Sequence, residues 1–323
     1  MNVFSKIAHA SLIEATAVSA ILRHGWPDVM LQFGGGIGDE LLLTTVSHEL
    51  KRRNPSSKIW QVSHSAELLY NNPDYHTVFT WDQRLMRYAI LLNSRRKKLS
   101  YAKERIPRKE EIPPIEHILA VLCRQAGITG SIELRPYLFL KEDEIRKGRL
   151  HDEQIVVQCI GEQSYPTVMR NKLWSVEKFQ RVVDVFNERG GKTTRIVQIG
   201  GGGDPLLQGV TDLRGKTSLR ESAALLHQAQ YFVGTVGLGM HLARAVGCRS
   251  VIIYGGREHS WQSGYSCNEN LDSMVECAPC WLWNDCDYER KCMTMISAEH
   301  VIAAVERITK RLDTPMETDT AVI

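Results

Sequence analysis

The chain has 323 residues, 43% of them hydrophobic and 24% charged, with a formal net charge of +3. That length and composition exclude a disordered or fibrous protein and leave room for two domains with cores of their own. A charge so near neutral argues against wholesale nucleic-acid binding, and no uninterrupted apolar run reaches the ~18 residues a membrane-crossing helix needs. The first 25 residues lack the apolar centre of a signal peptide. Eight cysteines, four of them within residues 277–292, look like a local cluster and not a disulfide framework. A cytoplasmic protein is expected.

Apolar residues at helical spacing predict a first helix over about Phe4–Arg23, broken by Trp26-Pro27. Asp28–Phe33 reads as a short buried strand running into Gly34-Gly35-Gly36-Ile37-Gly38-Asp39. A helix from about Asp39 turns Leu41, Leu42, Leu43, Val46 and Leu50 inward, and Asn54-Pro55 ends it. Lys58–Ser63 is the next strand, which completes a βαβ unit and implies a parallel sheet. Asp39 has two readings. A carboxylate at a helix start caps the helix and complements its dipole. Four glycines around it open more space than a cap needs, and a carboxylate facing that space can take a proton from a sugar hydroxyl.

Tyr75–Thr80 is a further strand. Trp81–Lys109 then carries Arg84, Arg87, Arg95, Arg96, Lys97, Lys98, Lys103, Arg105, Arg108 and Lys109 among aromatic and aliphatic residues. It is either a solvated helix face or lid, or a docking surface for an anionic acceptor or an anionic membrane leaflet. A helix over Ile115–Ala126 and a strand-like Tyr137–Leu140 follow, and the polar run Lys141–Glu153 reads as a linker. Residues 1–145 are thus expected to form one Rossmann-like domain and residues 150–312 a second, with 313–323 a disordered tail.

The second domain opens on the apolar strand Gln154–Ile160, followed by a loop, Gly161–Leu173, and a helix from Trp174-Ser175 through Phe186, stopped by Gly190-Gly191. Arg195–Ile199 is a strand that meets Gly200-Gly201-Gly202-Gly203-Asp204-Pro205, and a helix over about Ser218–Ala229 comes next. Tyr231–Gly256 is the centre of the pattern. A strand (Tyr231–Val233) enters a turn with Gly234, Gly237 and Gly239. A helix from about Met240 to Val246 and a buried strand, Ser250–Tyr254, follow. Such a turn sets a phosphate against free N–H groups at a helix N-terminus. His241 sits on the first turn, where it either faces the ligand or only packs.

These motifs, in this order, resemble glycosyltransferase family 9, the bacterial heptosyltransferases. The similar segments are Gly36-Ile37-Gly38-Asp39 with the following Thr44-Thr45 helix, Asn171-Lys172-Leu173-Trp174, Leu213–Leu219, and Met240-His241-Leu242-Ala243. The resemblance implies an α/β protein of GT-B fold, two Rossmann-like domains facing across a cleft. It implies an inverting glycosyltransferase without a catalytic metal, acting in lipopolysaccharide biosynthesis or on a related acceptor. The donor would be a nucleotide sugar such as ADP-heptose; the acceptor would be a carbohydrate, a lipid-linked sugar or a protein. Peripheral contact with the inner membrane would be compatible with that role.

Carried over by position, Asp39 is the general base and Gly38 its neighbour at the donor. Lys172 contacts the donor phosphates, Asp204 lies near the ribose, and Thr217 and Ser218 line the base pocket. Thr235, Gly237, Leu238, Gly239, Met240 and His241 surround the diphosphate. Where the family usually has an acidic residue this chain has Val236, which leaves the donor sugar open. A nucleotide-sugar-binding or scaffolding protein of the same fold, or another GT-B enzyme such as an epimerase, are the alternatives.

Cys277, Cys280, Cys286 and Cys292 are spaced C-x2-C-x5-C-x5-C. Four thiolates can close a tetrahedral site on zinc or iron; the other reading is four reduced cysteines in a loop. Cysteine clusters of this kind bind iron in the family branch that heptosylates autotransporter proteins. Any such metal is expected to be structural and remote from the chemistry.

Overall fold

The structure, a computed structural model, describes residues 3–33, 35–101, 103–105, 110–163, 168–189 and 194–323. Gly34, Arg108, Lys109, Gly190-Gly191 and the middle of the 161–173 loop lie outside them. The chain opens with α1 (Val3–His24). The first sheet is all parallel, in the order β3-β2-β1-β4, with β1 Val29–Phe33, β2 Ile59–Ser63, β3 Thr77–Thr80 and β4 Arg96–Leu99. Helix α2 (Ile37–Arg53) links β1 to β2 and starts two residues before Asp39. Two 3-10 segments, Trp81–Tyr88 and Ile90–Arg95, lead into β4.

The basic stretch is therefore neither a helix face nor a lone lid. Its Arg96–Leu99 segment pairs in register with Met30–Phe33 of β1. Leu99 is buried while Lys97 and Lys98 are exposed, as suits a sheet edge that must not recruit another strand. Several of its arginines are held in place: Arg87 lies 4.4 Å over the Trp81 ring, and Arg95 donates to the Pro27 carbonyl at 2.9 Å. Strands β5 (Lys103–Arg105) and β6 (Glu110–Ile112) pair as an antiparallel ribbon.

Helix α3 (Ile118–Gln125) and β7 (Ser131–Glu133) follow. The expected strand over 137–140 is extended but unpaired with any sheet, because its backbone goes to α2: Tyr137 N donates to Thr44 Oγ1 at 2.8 Å. The linker holds a short helix, α4 (Glu142–Lys147). The tail expected to be disordered is ordered instead. Its strand β14 (Thr320–Val322) pairs antiparallel with β7, and Ile323 and Gly130 exchange backbone hydrogen bonds.

The second sheet is parallel throughout, in the order β10-β9-β8-β11-β12-β13. Its strands are β8 Glu153–Val157, β9 Thr194–Gln198, β10 Thr211–Asp212, β11 Ala229–Thr235, β12 Ser250–Gly255 and β13 Glu269–Asp272. Helices α5 (Val176–Arg189) and α10 (Ala298–Thr309) cover one face, with Phe179, Val182, Val301 and Ile308 fully buried there. Helices α6 (Leu219–His227) and α7 (Leu238–Ala245) cover the other. Two short helices, α8 (Ser260–Ser263) and α9 (Lys291–Thr294), flank the cysteine loop. The largest core is continuous from α2 and α3 under the first sheet to α6 and α7 over the second. The two sheets thus face each other through a helical layer, with the starts of α2 and α7 meeting inside it.

Candidate functional site

Both glycine-rich turns leave the carboxyl ends of parallel strands, where open α/β sheets bind their ligands. The close approach is measurable at Gly38. A Cβ there would lie 3.7 Å from Leu238 Cα and 3.9 Å from His241 Cδ2, so the first turn of α2 touches the first turn of α7. Gly237 caps α7 at φ +155° with no side-chain cap, and a Cβ on it would meet nothing within 4 Å. Open space thus adjoins Gly237, at the end of α7 that carries the helix's partial positive charge.

Asp39 is the third residue of α2. Its Oδ2 accepts the Gly36 N–H at 2.7 Å and its Oδ1 accepts the Tyr101 hydroxyl at 2.6 Å. The cap reading of Asp39 is thus real, and the carboxylate also stands at the cleft, oriented by a phenol. The adjacent Glu40 is purely architectural: buried, it accepts the Ser63 hydroxyl and the N–H of His64.

Lys172 ends a short 3-10 turn and pairs with Glu258, Nζ to Oε1 2.5 Å. Arg257 Nη1 lies 3.1 Å from the same carboxylate, and Ser263 Oγ donates to its other oxygen at 2.9 Å. Burial by itself would raise the Glu258 pKa, but the charges of Lys172 and Arg257 outweigh it and hold it at about 2. His241 is buried and its Nδ1 lies 2.7 Å from the Tyr265 hydroxyl. Burial lowers its pKa to about 3, so it is a neutral imidazole.

Other expected residues divide. Thr235 is buried at the end of β11, and its Oγ1 has no hydrogen-bond partner among the described residues. Val236 is in the core, so its side chain offers the cleft nothing. Gly239 admits no side chain, since a Cβ would fall 2.6 Å from Gln158 Oε1; Met240 is buried and its sulfur accepts the Tyr254 hydroxyl at 3.1 Å. Asp204 turns into its own loop, where Oδ2 accepts Gly201 N–H at 2.8 Å. Thr217 Oγ1 lies 2.9 Å from Ser222 Oγ, and Ser218 caps α6. Both line a separate cavity of ≈ 600 Å³ against Glu67 and Glu144.

The cysteine loop corrects an expectation: it is not remote. Trp281, next to Cys280, is buried with φ +53°, a costly conformation for a bulky residue. Its N–H donates to the Arg257 carbonyl at 2.9 Å, Arg257 lies 4.9 Å over its ring, and the Tyr101 ring is 6.2 Å away. Asn171, beside Lys172, donates to the carbonyls of Leu282 and Asp285 at 3.1 and 3.0 Å. The loop thereby touches the surroundings of both Asp39 and Lys172. Burial raises the Cys280 and Cys292 thiol pKa values, and the charges of neighbouring cluster thiols add to this. Among the described residues, no group of three or more His, Cys, Asp or Glu side chains is arranged to hold a metal ion.

Glu258, Arg257, Tyr101 and Trp281 are the residues that motif reading missed. Only Gly255-Gly256 just before Arg257 marked a strand end worth following.

Two facing parallel α/β layers with a ligand-ready turn on each define the GT-B architecture. Residues 152–282 match the family model "Glycosyltransferase family 9 (heptosyltransferase)". Lipopolysaccharide heptosyltransferase 3 of Escherichia coli K12 is 26% identical over an alignment of 176 positions that covers 49% of this chain and 46% of that protein. The chain spans about half the length of the curated relatives it matches. Two solved structures share the fold. A family 9 glycosyltransferase of Veillonella parvula has TM-score 0.66 and 18% identity over 88% of this chain and 97% of that one. The iron-containing dodecameric glycosyltransferase TibC of enterotoxigenic E. coli has TM-score 0.65 and 16% identity over 89% and 77%. Among the described residues, no helix is long and apolar enough to cross a membrane.

Proposed function

We propose that the chain is an inverting glycosyltransferase that moves a heptose from ADP-heptose to an acceptor hydroxyl. The observation that carries this is the meeting of the Asp39 turn with the uncapped start of α7, beside Lys172. In this reading the donor diphosphate sits against the α7 N–H groups and Lys172, which stabilise the charge that develops as the leaving group departs. Asp39, oriented by Tyr101, takes the proton from the acceptor hydroxyl as its oxygen attacks the anomeric carbon from the opposite side. Neutral His241 and the Thr235 hydroxyl flank the same space. The similarity to lipopolysaccharide heptosyltransferase 3 and to TibC, whose structure was solved in complex with ADP-D-beta-D-heptose, supports the donor.

Carbohydrate, lipid-linked and protein acceptors all offer the hydroxyl this chemistry needs. Exposed Lys97 and Lys98 would favour an anionic acceptor or an anionic membrane surface near the cleft, with the enzyme working in the cytoplasm. We also propose that the four thiols of the 277–292 loop hold a structural zinc or iron ion; what supports it is their spacing within sixteen residues of one loop.

Asp39→Asn tests the central claim. The amide oxygen can still accept the Gly36 N–H, so the variant should fold and bind ADP as wild type does. ADP release from ADP-heptose with acceptor present should fall ~10²–10⁴-fold, the usual worth of a general base. Near wild-type turnover would reduce Asp39 to a cap.

A further inference from the structure

Glu258 has no role in the reading above, yet its placement is specific. It follows the Gly255-Gly256 turn at the carboxyl end of β12, and its side chain is 6% exposed against 20% for Lys172. Lys172 is thus the accessible member of the pair and Glu258 the more deeply buried one. Lys172 and Arg257 are positive and Glu258 negative, so the trio carries one net positive charge. The carboxylate does not swing freely: Ser263 holds one oxygen and the two cations hold the other.

We infer that Glu258 is an internal counter-anion of the donor site, a positioning residue that holds Lys172 when no diphosphate is bound and takes it back when the product leaves. This rests on the reading that a nucleoside diphosphate binds at Lys172. The physical reason lies in what turnover requires. An enzyme gains from charge stabilisation in the transition state but loses speed when it holds its product as tightly. With Glu258 absent, Lys172 and the buried Arg257 would have no resident anion competing with the diphosphate, and ADP would bind more tightly and leave more slowly. With Glu258 present, Lys172 exchanges one anion for another and is never left as an unpaired buried charge.

The test is calorimetry of ADP with wild type, Glu258→Asp, Glu258→Gln and Lys172→Ala, alongside multiple-turnover and single-turnover rates with ADP-heptose. Removing one charge near a diphosphate should tighten ADP binding at least roughly tenfold in Glu258→Gln, a floor that holds even when solvent screens most of the repulsion. Glu258→Asp, with its carboxylate drawn back from Lys172, should tighten it two- to threefold, roughly the same effect in part. In Glu258→Gln, kcat should fall while single-turnover chemistry changes less, because release becomes slow. A residue that merely props up the fold would weaken ADP binding or leave it alone. Affinity flat or falling from Glu to Asp to Gln, with Lys172→Ala still weakening ADP, would overturn the proposal and leave the donor site standing. Wild type and Lys172→Ala binding ADP equally would instead refute the donor site, and this inference with it. If the Gln variant does not fold, the Asp variant alone decides by the direction of its change.

Discussion

Single residues here do work that their type does not announce. Asp39 is both cap and candidate base, since its two oxygens point to different partners, the Gly36 N–H and the Tyr101 hydroxyl. His117 and His241 are buried and neutral. Burial takes His117 to about 4, where its Nε2 lies 3.0 Å from the Gly264 carbonyl, and takes His241 to about 3. An unfolded histidine titrates near 6.5, so below that pH the unfolded chain binds protons that the fold refuses. Stability is thus intact above pH ~6.5 and falls as the pH drops below it, by about 2 kcal/mol for each histidine between pH 7 and pH 5. Glu258 and Glu144, both held at about 2, stay ionised over that window and contribute little to the change. Urea unfolding should show a loss of about 4 kcal/mol at pH 5, halved in His117→Gln. Equal stability at the two pH values would mean that the histidines are not kept neutral.

At the scale of elements, the 277–292 loop matters most, because it braces two functional turns at once. Asn171 ties it to the Lys172 turn, while Trp281 lies between Arg257 and Tyr101. If its thiols hold a metal, elemental analysis should find close to one zinc or iron per chain, on the order expected of a closed four-thiolate site. Cys280→Ser should then lose metal, melt at lower temperature and turn over more slowly, since Trp281 is the next residue. A metal-free wild type with full stability and turnover would rule the metal out. Two other elements show how context overrides composition. Arg96–Leu99 becomes a strand because β1 offers an open edge, and residues 320–322 become one because β7 does.

For the whole molecule, the question is what holds the two layers in register so that the starts of α2 and α7 meet. Apolar packing between them does much of it, and Arg220 adds a clasp. It is buried on α6 and pairs with Glu144 at 2.5 Å, and it also donates to the carbonyls of Phe139 and Glu67 at 2.7 and 3.0 Å. Arg220→Ala would leave those acceptors unpaired beside an open cavity. A loss of about 1–3 kcal/mol is expected, the cost of charged hydrogen bonds lost from a part-buried pair. Denaturant unfolding reads it directly, and small-angle scattering should show a larger radius of gyration. A variant as stable and compact as wild type would mean that the core alone sets the domain arrangement.

Local patterns in the chain were enough to determine the two βαβ layers, the parallel sheets, and the glycine turns that set Asp39 and His241 in the first turns of α2 and α7. The reason is physical: strand period, helix period and glycine turns are short-range properties, and ligand turns follow from where strands end. Tertiary structure alone decided the rest. That Glu258 and Arg257 back Lys172, that Tyr101 orients Asp39, and that Trp281 joins the cysteine loop to both depend on contacts across the chain: 62 positions separate Asp39 from Tyr101, 86 separate Lys172 from Glu258, and 180 separate Tyr101 from Trp281. Charge composition could not reveal that Arg96–Leu99 is an edge strand or that the tail is ordered, because each forms only where a distant strand presents unpaired N–H and C=O groups.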